Sequence, residues 1–315
     1  MGKQLVKIVK EICNEEGFDF KAYSSDYIMQ ISTISNDYKK NNMFILGNKF
    51  PNNNASIEQI CNDKSALSDL LGYYNIPHVV HHYYLSPLVN VSDNDENSVF
   101  EEGIKLLNKY NKLVCKVNRG TGGKNIYKVS NKSELENAIL NIFSVTNSLT
   151  VSPYYEIEEE YRVLVLNKNV RYAFKKIRPF VTGDGVSPLY KLINELPNKS
   201  IITPNEDLDL NYIPKINEKV IISWKHNLGQ GASPKLVNDE EIINLQNIAI
   251  KCANELDINF ASIDIIKTTI EGKVNYLVLE INSGVMIESF SNYNLEYYNL
   301  AKESVREAII SYLKG

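Results

Sequence analysis

No apolar run in this sequence is long enough to cross a bilayer, which takes about 20 consecutive apolar residues. The start shows no signal-peptide pattern. Met1-Gly2 resembles a myristoylation start, but Val6 stands where Ser or Thr is required. Cysteine is scarce: Cys13, Cys61, Cys115 and Cys252 have no CxxC spacing. That argues against a zinc site or a disulfide framework and fits a reducing cytosol. There is no basic run. The 34 Lys and Arg are outnumbered by 38 Asp and Glu, for a net charge of −4. Such a mixed-sign surface carries no nucleic-acid footprint. The expectation is a cytoplasmic protein that binds neither nucleic acid nor membrane. Internal repeats are absent, and the Asn-rich patches at Asn52 to Asn54 and Asn94 to Asn97 read as loops.

Familiar site patterns are missing too. No GK[ST] opens a helix as a Walker A loop would, and no Rossmann fingerprint follows a strand. No convincing Ser-His or Cys-His arrangement is present. His78, His81 and His82 surround Val79 and Val80, so they are expected to be ordinary strand or surface residues.

What the sequence does contain is a pair of strand-like runs with acids in them. In Tyr276-Leu277-Val278-Leu279-Glu280-Ile281-Asn282, Glu280 and Asn282 are two apart and share a face. In Phe260-Ala261-Ser262-Ile263-Asp264-Ile265-Ile266, Asp264 is a lone acid among apolar neighbours. An unpaired carboxylate in such a setting costs several kcal/mol, so something must compensate it. Singly, Asp264 reads as a strand-end cap and Glu280 as a salt-bridged core acid. Together with Asn282 they form an oxygen-only set that suits Mg²⁺ better than zinc or copper.

A chain of 315 residues is long for one simple core, so two or three lobes around one site are expected. Leu5, Ile8, Val9 and Ile12 mark a first helix ended by Gly17. Phe18 to Tyr23 and Met43 to Leu46 are short strands of a small α/β lobe. Asp63 is a good N-cap for a helix whose first turn holds Lys64, a solvated lysine or one aimed at an anion. Phe100 to Tyr110 is an amphipathic helix. Leu113 to Lys124 then reads as a strand with Lys116 in it and a glycine-rich turn, Gly120, Gly122 and Gly123. Its backbone N–H groups can cover phosphates, although a plain hairpin fits equally. Ser133 is the expected cap of the next helix, to about Phe143. Residues 161 to 177 form a β-hairpin. Residues 178 to 187 are a turn-rich loop, 188 to 196 a short helix, 197 to 215 irregular, and 220 to 224 a strand. A second glycine loop follows, from Lys225 to Pro234. Helices at 239–256 and 294–313 flank the two acidic strands.

This order of parts resembles the ATP-grasp superfamily of carboxylate–amine or thiol ligases. Within it, the chain looks most like the ATP-grasp module of cyanophycin synthetases and bifunctional glutathione synthetases. The resemblance rests on Glu160-Tyr161-Arg162-Val163-Leu164-Val165, on Arg178-Pro179-x-Val181-x-Gly183-Asp184-Gly185 with Leu189 to Ile193, on Asn227 to Ala232, and on Val278 to Met286. It spans roughly residues 60 to 290. It implies the ATP-grasp fold, of α+β or α/β class: a small N-terminal α/β lobe over 1–78, a mobile lid over 79–152 and a larger C-terminal α+β lobe over 153–315. ATP would lie between the last two.

Carried over position by position, the resemblance implies that Lys64 and Lys116 contact ATP phosphates. Gly120, Gly122 and Gly123 would form the phosphate flap. The hinge from Ser152 to Glu156, with Tyr154, would hold the adenine. The ribose would go to Glu160, the best motif match, or to Glu156 or Glu159. Asp264, Glu280 and Asn282 would hold two Mg²⁺ ions, with Mn²⁺ able to substitute. Arg178 and Lys225 would steady the transferring phosphate. Arg162, Asp184, Gly231 and Gly284 would line the substrate side.

The implied activity is amide or peptide bond formation between a small carboxylic acid and an amine, such as amino acids or short peptides. It would run through an acyl phosphate and release ADP and phosphate. A small-molecule kinase or a non-catalytic nucleotide-binding regulator are the alternatives, and a homodimer is allowed. The sequence departs from these relatives at Lys225-His226, where they usually place an arginine, and at Gly229-Gln230-Gly231, where they have a paired glycine turn. Those loops contact the substrate, so the substrate does not carry over.

Overall fold

The computed structural model describes residues 3–34, 40–87, 89, 99–120 and 123–314. The first helix, α1 (Lys3–Glu16), buries Leu5, Val6, Ile8, Val9, Ile12 and Cys13 on one face, the spacing that 3.6 residues per turn requires. Strands β1 (Asp19–Tyr23), β2 (Ile28–Ile34) and β3 (Lys40–Leu46) form an antiparallel sheet in that order. The sequence reading had no β2. Its strand character rests on Met29 and Ile31, both fully buried, on either side of the polar Gln30. Two short helices follow, α2 (Ala55–Cys61) and α3 (Lys64–Tyr73). Asp63 caps α3 as expected, its carboxylate accepting from Ala66 N–H at 3.0 Å.

The second sheet holds β4 (His82–Leu85), β5 (Leu113–Val117), β6 (Ile126–Val129) and β7 (Ser148–Pro153), in the order β4-β7-β5-β6. Helices α4 (Val99–Tyr110) and α5 (Lys132–Phe143) cover it through Leu107, Leu113, Cys115, Leu135, Ile139 and Leu149. The cap of α5 is Asn131, not Ser133. Asn131 Oδ1 accepts from Glu134 N–H at 3.0 Å, and the Glu134 carboxylate accepts from Ser130 N–H at 2.7 Å. This reciprocal pairing satisfies two free donors at once and outcompetes a single serine.

The central sheet has five antiparallel strands. Strands β8 (Glu159–Leu166) and β9 (Asn169–Ile177) form the expected hairpin. The loop expected after it contains a strand, β10 (Phe180–Thr182), which leads to α6 (Leu189–Asn194) and pairs with β11 (Lys219–Ile221). After β12 (Ser233–Leu236) and α7 (Asp239–Glu255) come β13 (Phe260–Ile270) and β14 (Lys273–Asn282). The strand order is β12-β9-β8-β13-β14. Helices α8 (Glu288–Ser291) and α9 (Leu295–Lys314) close the chain.

Register assigns the two faces of this sheet. Tyr161, Val163, Ala261, Ile263 and Val278 face α3 and α7. Leu164, Leu166, Tyr172, Phe174 and Phe260 face the other way, against α1, α9 and the first sheet. The same second face carries Glu160, Arg162, Asp264 and Glu280 at its far end. One face thus passes from apolar to charged along its strands. No helix among the described residues is long and apolar enough to cross a membrane.

The apolar end is held by stacked rings. Phe290 lies 4.5 Å from Tyr172, 4.8 Å from Phe174 and 4.7 Å from Tyr297. Phe290→Ala should lower stability by about 3–5 kcal/mol, read as a shift in the urea midpoint. A shift below about 1 kcal/mol would show that the stack is not a keystone of this core.

Candidate active site

At the charged end, Asp264 pairs across the sheet with Arg162 on one side and Glu280 on the other. Directly opposite residues of antiparallel strands share a face, so register alone brings these three together. Asp264 has no exposure. Its Oδ1 accepts from Arg162 Nε at 2.7 Å, and its Oδ2 from Arg162 Nη2 at 2.7 Å and from Lys176 Nζ at 2.8 Å. Lys176 also donates to Glu160 at 2.5 Å. Burial pushes the Asp264 carboxyl up, but Arg162 and Lys176 outweigh it and hold the group below the usual carboxylate range. Arg162 is correspondingly held in its charged form against burial by Asp264.

A bulge in β14 beside Asp264 sets Leu279 out of register, so Glu280 stays opposite Asp264 while Val278 turns to the other face. Asn282 lies two residues on and donates to Glu280 Oε1 at 3.2 Å. Level with it, Ser262 Oγ is sealed without a partner.

The two lysines converge here from other elements. Lys64, in the first turn of α3, donates to the carbonyls of Asn118 and Gly120, each at 3.1 Å. It thereby ties the helix to the glycine turn after β5. Burial lowers its pKa, opposed by the charges of Glu280 and Asp63. Lys116 on β5 is buried, and burial together with Lys64 brings it down to about 8, while Glu280 and Glu160 oppose the shift. Both ammonium groups therefore feel Glu280. Beside them, Val79, Ile266 and Leu277 are buried against Tyr155, Ile157 and Leu279. This apolar slab sits where the second sheet meets the central one, joined by Val79 N–H to Val278 O at 2.9 Å.

The other sequence-derived residues fall around this centre. Gly123, in a left-handed conformation, lies close to Asn227 and Gln230, so the two glycine loops meet. Gly122 lies outside the described residues. Tyr154 and Glu156 are joined on the hinge, hydroxyl to carboxylate at 3.2 Å. Glu159 is tied up with Lys175, Tyr161 and Lys267. Arg178 bears on His226, and Lys225 lies 6.0 Å over the Trp224 ring. Asp184 serves its own turn, accepting from Val186 and Ser187 N–H at 2.9 and 2.6 Å. Gly231 has φ +96°, and a Cβ there would fall 2.3 Å from Ile202 Cγ1, so packing requires it. Gly284 bridges to Lys49.

Two residues escaped the sequence reading. The sequence places Lys176 only in the second arm of the hairpin, yet register puts it inside. His81, expected in a strand or at the surface, is buried, and burial with Lys116 and Lys64 pulls its imidazole down to about 2.

The donor set fits a hard divalent cation. Glu280, Asn282 and Asp264 offer only oxygens. Among the described residues no group of three His, Cys, Asp or Glu is placed to hold a metal ion, so the donor set rests on two acids and an amide. Asp264 is already balanced by two cations, which leaves Glu280 and Asn282 as the less committed ligands.

Residues 223–307 match the RimK-like ATP-grasp domain family. The glutathione biosynthesis bifunctional protein of Listeria welshimeri is 25% identical over 51% of this chain and 23% of its own length. Its namesake in Listeria monocytogenes is 26% identical over 51% and 24%. Among solved structures, a bifunctional glutathione synthetase from Pasteurella multocida aligns with a TM-score of 0.58 at 14% identity, covering 98% of this chain and 44% of that one. D-alanyl-alanine synthetase A from Vibrio cholerae aligns with a TM-score of 0.52 at 12% identity, over 84% and 67%. The chain spans about a quarter of the curated relatives it matches.

Asp264→Asn should cost about 3–5 kcal/mol at pH 7, because Arg162 and Lys176 lose their counter-charge. The folded carboxyl titrates low, so its contribution is present above the unfolded pKa of about 3.9 and is lost as pH falls below it. Urea unfolding should therefore show the gap between wild type and variant closing from about pH 4 downward. A gap independent of pH would contradict this assignment.

Proposed function

We propose that this chain, which has the ATP-grasp fold, is an ATP-dependent ligase that joins a small carboxylic acid to an amine. The single observation that supports this most is the convergence of Lys64, Lys116 and Arg162 with Asp264, Glu280 and Asn282 beside one apolar slab. Cations for phosphates, oxygens for a hard metal and an apolar cluster that could pack against a purine meet at one place.

In this reading the slab of Val79, Ile266, Leu277 and Leu279 takes the adenine. Glu160 holds the ribose, with Glu156 or Glu159 as the other candidates. Lys64 and Lys116 bind the phosphates, helped by backbone N–H groups of the turn from Gly120 to Gly123. Asp264, Glu280 and Asn282 would hold Mg²⁺, which supplies charge neutralisation at the phosphates. The division into units at 1–78, 79–152 and 153–315 belongs to the same proposal, with 79–152 as the part that closes.

The chemistry asks for positioning and charge more than for a protein nucleophile. The substrate carboxylate attacks the γ-phosphorus, ADP leaves, and an acyl phosphate forms. Arg178 and Lys225 steady it. The closed glycine turn keeps water away, since hydrolysis would waste the intermediate. An amine then displaces phosphate. Arg162, Asp184, Gly231 and Gly284 act on the substrate side by binding or by shaping the loops that do so. Amino acids and short peptides are the proposed substrate class.

ADP and phosphate should appear only when an acid and an amine are both supplied, and Glu280→Gln should reduce turnover by about 10²-fold or more. Paired amino acids and dipeptides screened by ADP release and product mass give the readout. AMP with pyrophosphate, or a stable phosphorylated acid without an amine requirement, would overturn the ligase reading.

A further inference from the structure

We propose that His226 is the general base that frees the amine nucleophile in the second half of the reaction, an inference that rests on the ligase reading above. His226 sits on the turn between β11 and β12 and is 7% exposed. Its Nδ1 lies 3.1 Å from the carbonyl oxygen of Lys176. A carbonyl only accepts, so Nδ1 carries the proton and Nε2 keeps its lone pair. Nε2 has no hydrogen-bond partner among the described residues.

The residue that orients the ring also belongs to the charged centre. Lys176 accepts from His226 through its carbonyl and sends its ammonium to Glu160 and Asp264. The imidazole therefore stands at the edge of the cluster where the acyl phosphate would form. The charged groups that bear on the ring are Glu160, Arg178 and Lys176. Lys225 precedes it in the chain. Burial lowers the His226 pKa; Glu160 and the Lys176 carbonyl oppose this, and Arg178 and Lys176 add to it. The net direction keeps the ring neutral, and able to accept a proton, at pH 7.

The reaction requires such a group. The α-amino group of a peptide has a pKa of about 7.7–8.0 and is largely protonated at pH 7. As an ammonium it has no lone pair to attack with. In the proposed step its N–H bond breaks and the proton moves to His226 Nε2. The freed pair forms the C–N bond at the acyl carbon and the C–O bond to phosphate breaks; the departing phosphate oxygen takes the second N–H proton and leaves as hydrogen phosphate. The imidazolium then returns the proton to solvent. Arg178 and Lys176 disfavour the imidazolium and so hasten that return.

A purely structural role for His226 is to tether its turn to β9 through Nδ1. His226→Asn separates the two roles: the asparagine amide can still donate to the Lys176 carbonyl but cannot take a proton. His226→Gln is the companion variant. Each protein is given MgATP and an equimolar mixture of the twenty amino acids and their glycyl dipeptides, with and without excess hydroxylamine. Hydroxylamine is a neutral nucleophile at pH 7 and traps the acyl phosphate without a base. Both products are measured on one sample, so loss of folded protein lowers both alike. The amide-to-hydroxamate ratio should fall on the order of 10²-fold in both variants. In both variants the acid limb of the amide-formation profile should move up toward the pKa of the free amine, about 7.7–8.0. A wild-type ratio in His226→Asn overturns the base and leaves the tether. A wild-type protein that forms neither hydroxamate nor amide overturns the ligase reading, and the base with it.

Discussion

Burying the carboxylate of Asp264 is the constraint on which the rest of this architecture turns. A bare carboxylate in the middle of a five-stranded sheet is untenable, so it must recruit cations or not be there. Arg162 and Lys176 meet it from β8 and β9, and Glu160 balances Lys176 in turn. Three strands are thereby locked in register by charge at one end, while Leu164, Phe174 and Phe260 lock the same face by apolar packing at the other. A shift of one residue in any of these strands would move both sets to the wrong side.

That division of one sheet face explains where chemistry can happen. The apolar end is covered by α1, α9 and the stack around Phe290. The charged end is left for the second sheet to approach, and that sheet brings Lys116. The lysine is buried enough to fall to about 8, close to where a modest change in surroundings alters its charge. Lys64, fixed at the start of α3, holds the glycine turn by two carbonyls. An anion arriving between these lysines would compete for the same ammonium groups, which couples its binding to the position of the turn.

Much of this was legible in the residues themselves. Lone acids in apolar strands pointed to Asp264 and Glu280, and the period-2 rule put Asn282 beside Glu280. The hairpin, the capped helix at Asp63 and the glycine turn were likewise local signals. Long-range register was not legible. Lys175 and Lys176 are indistinguishable in sequence, yet one joins Glu159 and Glu241 at the rim while the other enters the core. His226 stood out only as part of a basic pair on a substrate loop, because the state of its ring depends on a carbonyl fifty residues away. Asp184 and Gly231 matched a motif, but their visible duties are a turn and a close packing contact. Strand β2 was missed because only two buried apolar side chains, Met29 and Ile31, mark its alternation.

The central claim is that a carboxylate is activated by phosphoryl transfer at the site built around Asp264 and Glu280. The direct test is turnover with an acid labelled by ¹⁸O in its carboxyl group. The account predicts that one labelled oxygen appears in the released inorganic phosphate, because the acyl phosphate breaks at its carbon–oxygen bond. Label recovered in AMP, or released as water with none in the phosphate, would contradict it.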